Sequence, residues 1–319
     1  MTIATIVDVA GGPIGGAARF RLELYRFLER GTRDDVQVIG AKRRVSPSWL
    51  LRRELARPAN TRRVALNNIS FIAPGCERWT LLGNALHFLT DTEIAALDPS
   101  LRVVAQRQAA IVRLAARRSD VLVVPCSAMA ERVAQVLPSV SRRLVVRLHP
   151  VSAHKIPETP REQIILCPVI FEPYKHMVEQ LSALVIAVEG YIDPSVKILV
   201  TASPAEVPLS LAQNQRLNFV GQLNLDALSE LWARCCAIYF PSGLESFGYP
   251  LAEARANGLA AIARDTAQNR EIAGQALCGF IPGDGASLRD ATILALKEGV
   301  IPDPSPFDAD AYFNWMLFS

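Results

Sequence analysis

At 319 residues, half of them hydrophobic and 7% aromatic, the chain exceeds the size at which a single core stops growing, so two domains with full cores are expected. The net charge of +3 hides an asymmetry: residues 1–150 hold 23 Lys and Arg against 12 Asp and Glu, whereas residues 151–319 hold 11 against 19. No apolar stretch approaches the roughly 18 residues of a membrane span, no charged-then-apolar leader is present, and the six cysteines form no C-x-x-C pair. A membrane-spanning or disulfide-stapled protein is thereby excluded and a cytoplasmic one is expected.

The first strand is expected over Ile3 to Val9. It runs into Gly11-Gly12-Pro13-Ile14-Gly15-Gly16 and then a helical stripe of Phe20, Leu24 and Phe27. A glycine loop between strand and helix opens a βαβ unit and lets a ligand approach the backbone where a Cβ would block it. Its spacing is not G-x-G-x-x-G, and no acidic residue follows a second strand to hold a ribose, so NAD is not expected. After a short strand at Val36 to Ile39, Lys42 to Arg63 places eight Lys and Arg around Trp49, Leu50, Leu51 and Leu55. As a helix, interrupted by Pro47 and Pro58, it would set an apolar strip beside a basic face that could rest on anionic lipid or hold a charged acceptor; core packing explains the Leu and Trp equally well.

Further strands are expected at Ile69 to Pro74 and Trp79 to Leu82. His87, just past a strand end, either contacts a ligand hydroxyl or is hydrogen-bonded within the core. A helix over Leu101 to Arg118 precedes a buried strand at Val121 to Val124 and a helix capped by Ser127; Arg143 to Leu148 supplies one more strand. Residues 151–163 are polar, contain two prolines and read as the linker. His149 just before it and His154 within it lie at this hinge without a partner at metal spacing.

The second half alternates strands (Ile164–Cys167, Val196–Thr201, Leu217–Val220, Cys235–Phe240, Leu259–Ala263, Ala276–Phe280) with helices, the pattern of a doubly wound parallel sheet. The most informative stretch is Pro241 to Glu253, PSGLESFGYPLAE. It leaves the apolar run CCAIYF, breaks at Ser242-Gly243, and enters a helix with Pro250 in its first turn and Asn257-Gly258 at its end. Glu245 lies in the loop and Glu253 one turn inside the helix. Ser246, Phe247 and Gly248 bring backbone N–H groups to a helix start, a ready site for phosphate or sugar oxygens. From Ile281 the chain is rich in Pro and Asp and closes on Phe313, Trp315, Leu317 and Phe318.

At Pro241 to Glu253 the sequence resembles the retaining glycosyltransferases of family four, whose E-x7-E motif corresponds to Glu245 and Glu253 in the setting PSxxESFGxPxxEA. The resemblance implies a GT-B fold, with two Rossmann-like doubly wound α/β domains facing across a cleft. It implies an acceptor-binding domain over residues 1–150, a nucleotide-sugar-binding domain over 164–305, and a short C-terminal helix over 306–319 that crosses back to the first domain. Gly15 and Gly16 match the glycine pair that lies against the donor diphosphate. Lys175 matches the lysine of the family's G-R-x-x-x-x-K-G loop, while Ile170 or Phe171 stands at the arginine and His176 at the glycine. Val220 and Gly221 fall in the loop expected near the nucleoside base.

The function implied is transfer of a sugar from a nucleoside-diphosphate donor to an acceptor hydroxyl, with retention and without a metal or other cofactor. Lys175, the amides near Gly16 and those of Phe247, Gly248 and Tyr249 would stabilise the leaving diphosphate. Glu245 would hold the transferred sugar and Glu253 the ribose, with His87 as a further substrate contact. The acceptor is left open among a glycan, a lipid-linked sugar and a small molecule, as are the oligomeric state and peripheral contact with the inner face of a membrane. The alternatives are a non-catalytic nucleotide-sugar-binding partner subunit and a sugar-nucleotide 2-epimerase. Nucleic acid is not expected, because no aromatic residues interleave the basic ones in a reader motif.

Overall fold

In the computed structural model the chain divides into two compact α/β units: Met1–Val151 with Glu245–Phe247 and Pro306–Ser319, and Ser152–Leu244 with Gly248–Ser305. The structure describes residues 4–12, 15–31, 35–55, 61–73, 77–153, 161–297 and 299–319. Ile3, Pro13, Ile14, Pro58, Pro74, Cys76, His154 and the middle of the expected linker lie outside the described residues.

The first unit runs β1 (Thr5–Asp8), α1 (Gly16–Glu29), β2 (Val36–Ile39), α2 (Pro47–Glu54), β3 (Arg62–Ala65), β4 (Glu77–Leu81), α3 (Asp91–Ala95), α4 (Pro99–Ala116), β5 (Val121–Val124), α5 (Ser127–Val136) and β6 (Leu144–Val146). Its six strands form one parallel sheet in the order β2-β1-β3-β4-β5-β6. Strands such as VLVV and TIVD suit this place because β-branched side chains pack well where both faces are covered. The chain goes from β1 out to β2 and then back past β1 to β3. Strand order therefore reverses between β1 and β3, and the glycine loop leaves β1 at that reversal.

Several expectations for this unit are corrected. Among the described residues the Lys42–Arg63 segment is helical only over α2, which Ser46 caps by accepting from the Trp49 amide at 3.2 Å. No strand forms over residues 69–73; the third strand is Arg62–Ala65 instead. Two arginines can sit in a buried strand because each meets a carboxylate and an aromatic face. Arg62 Nε donates to Glu77 at 2.8 Å and its guanidinium lies 4.7 Å from the Trp79 ring; Arg63 is 3.7 Å from Glu54 and 5.9 Å from Phe71. Cys126 rather than Ser127 occupies the cap position of α5.

A final helix, α12 (Ala309–Phe318), completes the first unit in contact terms, after the second unit's elements in sequence. Phe313 packs 5.4 Å from both Phe20 and Phe27 of α1, and Trp315 lies 4.9 Å from Trp79. Thr5 Oγ1 donates to the Leu317 carbonyl at 2.7 Å and Arg62 to those of Met316 and Ser319, so the helix's last carbonyls find donors in β1 and β3.

The second unit runs β7 (Glu162–Cys167), α6 (Met177–Val188), β8 (Lys197–Val200), α7 (Leu209–Ala212), β9 (Leu217–Phe219), α8 (Leu225–Arg234), β10 (Cys235–Phe240), α9 (Tyr249–Asn257), β11 (Ala260–Arg264), α10 (Ala267–Ala273), β12 (Leu277–Phe280) and α11 (Gly285–Lys297). Its sheet is again parallel, in the order β12-β11-β10-β7-β8-β9, over a core that includes Ile165, Leu181, Leu184, Ile198, Tyr239, Ile262 and Phe280. Strand order reverses between β7 and β10, which are direct neighbours. Helix α11 falls in the stretch read as Pro- and Asp-rich. Asp284 accepts from the amides of Ala286 and Ser287 at 2.9 and 3.1 Å, and Leu288, Ala291, Thr292 and Ala295 face inward at helical spacing.

Candidate functional site

Ligands of doubly wound sheets bind outside the carboxyl ends of the strands, where the order reverses. In the second unit that rule selects the loops leaving β7 and β10. The first contains Lys175 and the second begins the PSGLESFG stretch. Topology alone therefore places two segments some 70 residues apart in sequence at one sheet edge.

The loop after β7 is fixed by Thr201, whose Oγ1 accepts from the Val169 amide at 2.9 Å. It ends in a 3₁₀ turn, Pro173–Lys175, closed by the Lys175 amide donating to the Glu172 carbonyl at 2.9 Å. Ile170, at one of the two positions compared with the family's arginine, is exposed and apolar. His176 adopts the left-handed conformation (φ 48°, ψ 44°) and its exposed side chain precedes α6, where the resembled motif has glycine. A Cβ costs energy in that region, so His176→Gly is expected to stabilise the protein by about 0.5–1 kcal/mol. A urea midpoint that does not rise would contradict this strain.

Beyond β10, α9 begins at Tyr249 behind Gly248, whose φ of 88° suits glycine; a Cβ there would also press on Phe240 at 3.3 Å. Every residue of α9 except Arg255 is buried, so its sequence lacks the polar face of a surface helix. Glu253 is thus a buried carboxylate one turn inside a buried helix, at 9% exposure. A carboxylate is kept in such a place only with hydrogen-bonding or charged company, which suits a polar ligand group. Glu245, Ser246 and Phe247 are grouped with the first unit. There Ser246 donates to the Gly83 carbonyl at 2.9 Å and Phe247 is buried 4.9 Å from the His149 ring. The Glu245 side chain is half-buried.

One cation at this edge was not singled out from the sequence. Arg264 ends β11, beside β10, and its Nε donates to the Pro241 carbonyl at 2.6 Å. Its guanidinium lies against Gly243, where any Cβ would collide with it. Burial pulls its pKa below the ordinary arginine value. Among the described residues the guanidinium makes that one hydrogen bond and no ion pair, leaving most of its five donors unused. The signal available was a charged residue closing the otherwise apolar strand AAIAR.

In the first unit, Gly15 (φ 78°) precedes α1, which begins at Gly16, so two glycines open a helix N-terminus at the β1/β3 reversal. His87 lies in a buried 3₁₀ turn, hydrogen-bonded to Gln108, and burial pulls its pKa down to about 4; its surroundings favour the core alternative. His149 is buried against Phe20 and Phe247, which pulls it to about 3. Both imidazoles stay neutral in the fold while the unfolded chain takes up their protons near pH 6.5. Stability is therefore complete above about pH 6.5 and falls as pH drops toward those lower values, by roughly 2 kcal/mol per histidine at about pH 5. Urea unfolding from pH 7 to 5 should show this slope, and it should be shallower in His149→Phe; equal slopes would refute the assignment.

Among the described residues no cluster of three or more His, Cys, Asp or Glu could hold a metal. Buried Cys167 is pushed well above, and Cys235 up to about 12 from, the ordinary thiol value, as expected of core thiols.

Residues 206–303 match the family model described as Glycosyl transferases group 1. No curated protein matches the chain. Among solved structures, WaaG, a glycosyltransferase involved in lipopolysaccharide biosynthesis, superposes with a TM-score of 0.65 at 15% identity over 98% of this chain and 94% of its own. An α,α-trehalose-phosphate synthase (UDP-forming) from Burkholderia vietnamiensis gives 0.63 at 11% over 98% and 95%, and sucrose-phosphate synthase from Thermosynechococcus elongatus 0.61 at 14% over 99% and 95%. These are likenesses of fold. The chain therefore has the two-unit α/β GT-B fold, and within it residues 206–303 match the glycosyl transferases group 1 model.

Proposed function

We propose that the protein transfers a sugar from a nucleoside-diphosphate donor to an acceptor hydroxyl, with retention of configuration and without a metal. The observation that carries this reading is the convergence, at the β7/β10 reversal, of the Lys175 loop with the Pro241–Glu253 stretch, the latter inside the residues that match the family model.

In this reading the donor diphosphate lies against the α9 N-terminus and the amides of Phe247, Gly248 and Tyr249, with Lys175 and Arg264 supplying two cations. Arg264 then takes the part that Ile170 and Phe171 cannot. Glu253 accepts from the ribose hydroxyls, and Val220 and Gly221 lie near the base. As the bond between the anomeric carbon and phosphate oxygen breaks, negative charge grows on the leaving diphosphate, where fixed donors stabilise it without reorganising. The acceptor oxygen bonds to the same face of the anomeric carbon, and its proton passes to the departing phosphate oxygen. Glu245 holds the transferred sugar and opposes its developing positive charge.

The test is a panel of nucleotide sugars, read by thermal shift and by release of nucleoside diphosphate. One donor should stabilise the protein and be slowly hydrolysed. Arg264→Ala should weaken that donor about tenfold or more with the fold intact, since a charge-assisted contact contributes about 1.5–3 kcal/mol. Binding without turnover under any acceptor would instead indicate a non-catalytic partner subunit, C2 inversion an epimerase, and no binding at all would end the reading.

A further inference from the structure

Helix α4 has one buried and one fully presented apolar side. At 100° per residue, Ala105, Ala109, Val112, Ala115 and Ala116 share the face turned into the first unit, and all are buried. The opposite arc carries Val103, Val104, Ile111 and Leu114, exposed by 47%, 50%, 55% and 63%. Single exposed apolar residues are unremarkable, but four on one arc of one helix form a contiguous patch whose exposure to water needs an occupant.

Charge indicates the occupant. Residues 99–119 contain five arginines and no acidic residue. Arg102 and Arg113 are spent on the unit itself, donating to the carbonyls of Ala95 and Leu97, and of His87 and Leu89. Arg107, Arg117 and Arg118 are exposed, and among the described residues their side chains make no ion pair or hydrogen bond. Arg107 lies on the same arc as Val103 and Leu114, and Arg118 one turn beyond Leu114. The Lys42–Arg63 segment keeps part of the basic apolar surface expected of it, with Leu51, Arg52 and Leu55 exposed, but Arg53, Arg62 and Arg63 are buried. Helix α4 has that combination on its outer face. Neither it nor any other helix among the described residues is long and apolar enough to cross a bilayer. An apolar strip rimmed by arginines suits a helix lying in the headgroup layer.

We infer that the outer face of α4 docks the first unit onto an anionic phospholipid surface, with Val103, Val104, Ile111 and Leu114 entering the acyl boundary and Arg107, Arg117 and Arg118 on lipid phosphates. This stands independently of the proposed activity, since it rests on a different surface. The consequence for function is that acceptors held at such a surface would be presented to the unit carrying the glycine loop.

Flotation of the full chain with vesicles tests it. Vesicles of phosphatidylglycerol and phosphatidylcholine should carry the protein up, pure phosphatidylcholine should carry about tenfold less, and raising the salt to about 0.5 M should release much of it. The double variants Ile111→Asp with Leu114→Asp, and Arg107→Glu with Arg118→Glu, should each lose at least about tenfold in partitioning with unchanged circular dichroism. Absence of binding to anionic vesicles, or binding that either variant leaves intact, overturns the inference. So does a dimer in solution that Ile111→Asp with Leu114→Asp dissociates, which would make a second copy the occupant.

Discussion

Arg53→Met is expected to cost about 3–5 kcal/mol of unfolding free energy, the largest stability effect of any single substitution considered for the first unit. Arg53 is 1% exposed and Asp8 fully buried, and they meet at 2.6 Å. The guanidinium also donates to the carbonyls of Ile69 and Ser70 at 2.7 and 2.6 Å and lies 4.3 Å from the Phe71 ring. Methionine fills the volume but supplies no donor, leaving a buried carboxylate without its cation and two carbonyls unpaired. Asp8 also accepts from Asn67 at 2.8 Å and from the Ala10 amide at 3.0 Å, and it packs so tightly on Gly40 (φ 81°) that a Cβ there would stand 2.6 Å from Oδ1. Asp8→Asn keeps one acceptor oxygen for Arg53 and Asn67 while its NH2 faces the Ala10 amide and the Trp49 indole, and it should still cost less than Arg53→Met, which removes every donor of the guanidinium at once. Urea unfolding of both variants measures the ranking, and a cost below about 1 kcal/mol for Arg53→Met would show that the network is not what locks α2 to β1. Because Asp8 ends β1, the glycine loop that follows inherits whatever order this network gives.

The second large effect is kinetic. Glu245→Gln is expected to lower the transfer rate about 10²–10³-fold while changing the dissociation constant of free nucleoside diphosphate by less than about threefold. Its carboxylate is proposed to act on the sugar, where charge grows only as the bond breaks. Glu253→Gln should do the reverse in kind, weakening free nucleotide by about tenfold or more, since the buried carboxylate would accept from the ribose in ground and transition states alike. Isothermal titration with nucleotide and single-turnover rates separate the two. Should both variants bind and transfer like the parent protein, the assignment of the Pro241–Glu253 stretch fails.

The first unit's core explains why some elements could be read in advance. Val121–Val124 and Val36–Ile39 each hold three β-branched residues in four, and α9 announces itself by Pro250 and Gly258 at its two ends; these signals are local and chemical. Arg62–Ala65 could not be read the same way. Two adjacent arginines look like solvated surface until Glu77, Glu54, Trp79 and the carbonyls of α12 are brought to them from as far as 257 residues away. Arg264 is similar, since its guanidinium's one hydrogen bond is to Pro241, 23 residues earlier, and its place at the ligand edge follows from strand order.

By itself the sequence determined what depends on neighbours along the chain: the β-α alternation, the glycine turns at Gly15 and Gly248, and the loop-to-helix stretch bearing Glu245 and Glu253. Only the tertiary structure decided which charges are buried and paired, which strands adjoin, and which side of α4 meets water. Burial of a charge and the edge at which loops meet are set by partners remote in sequence, whose energies enter only when the sheets assemble.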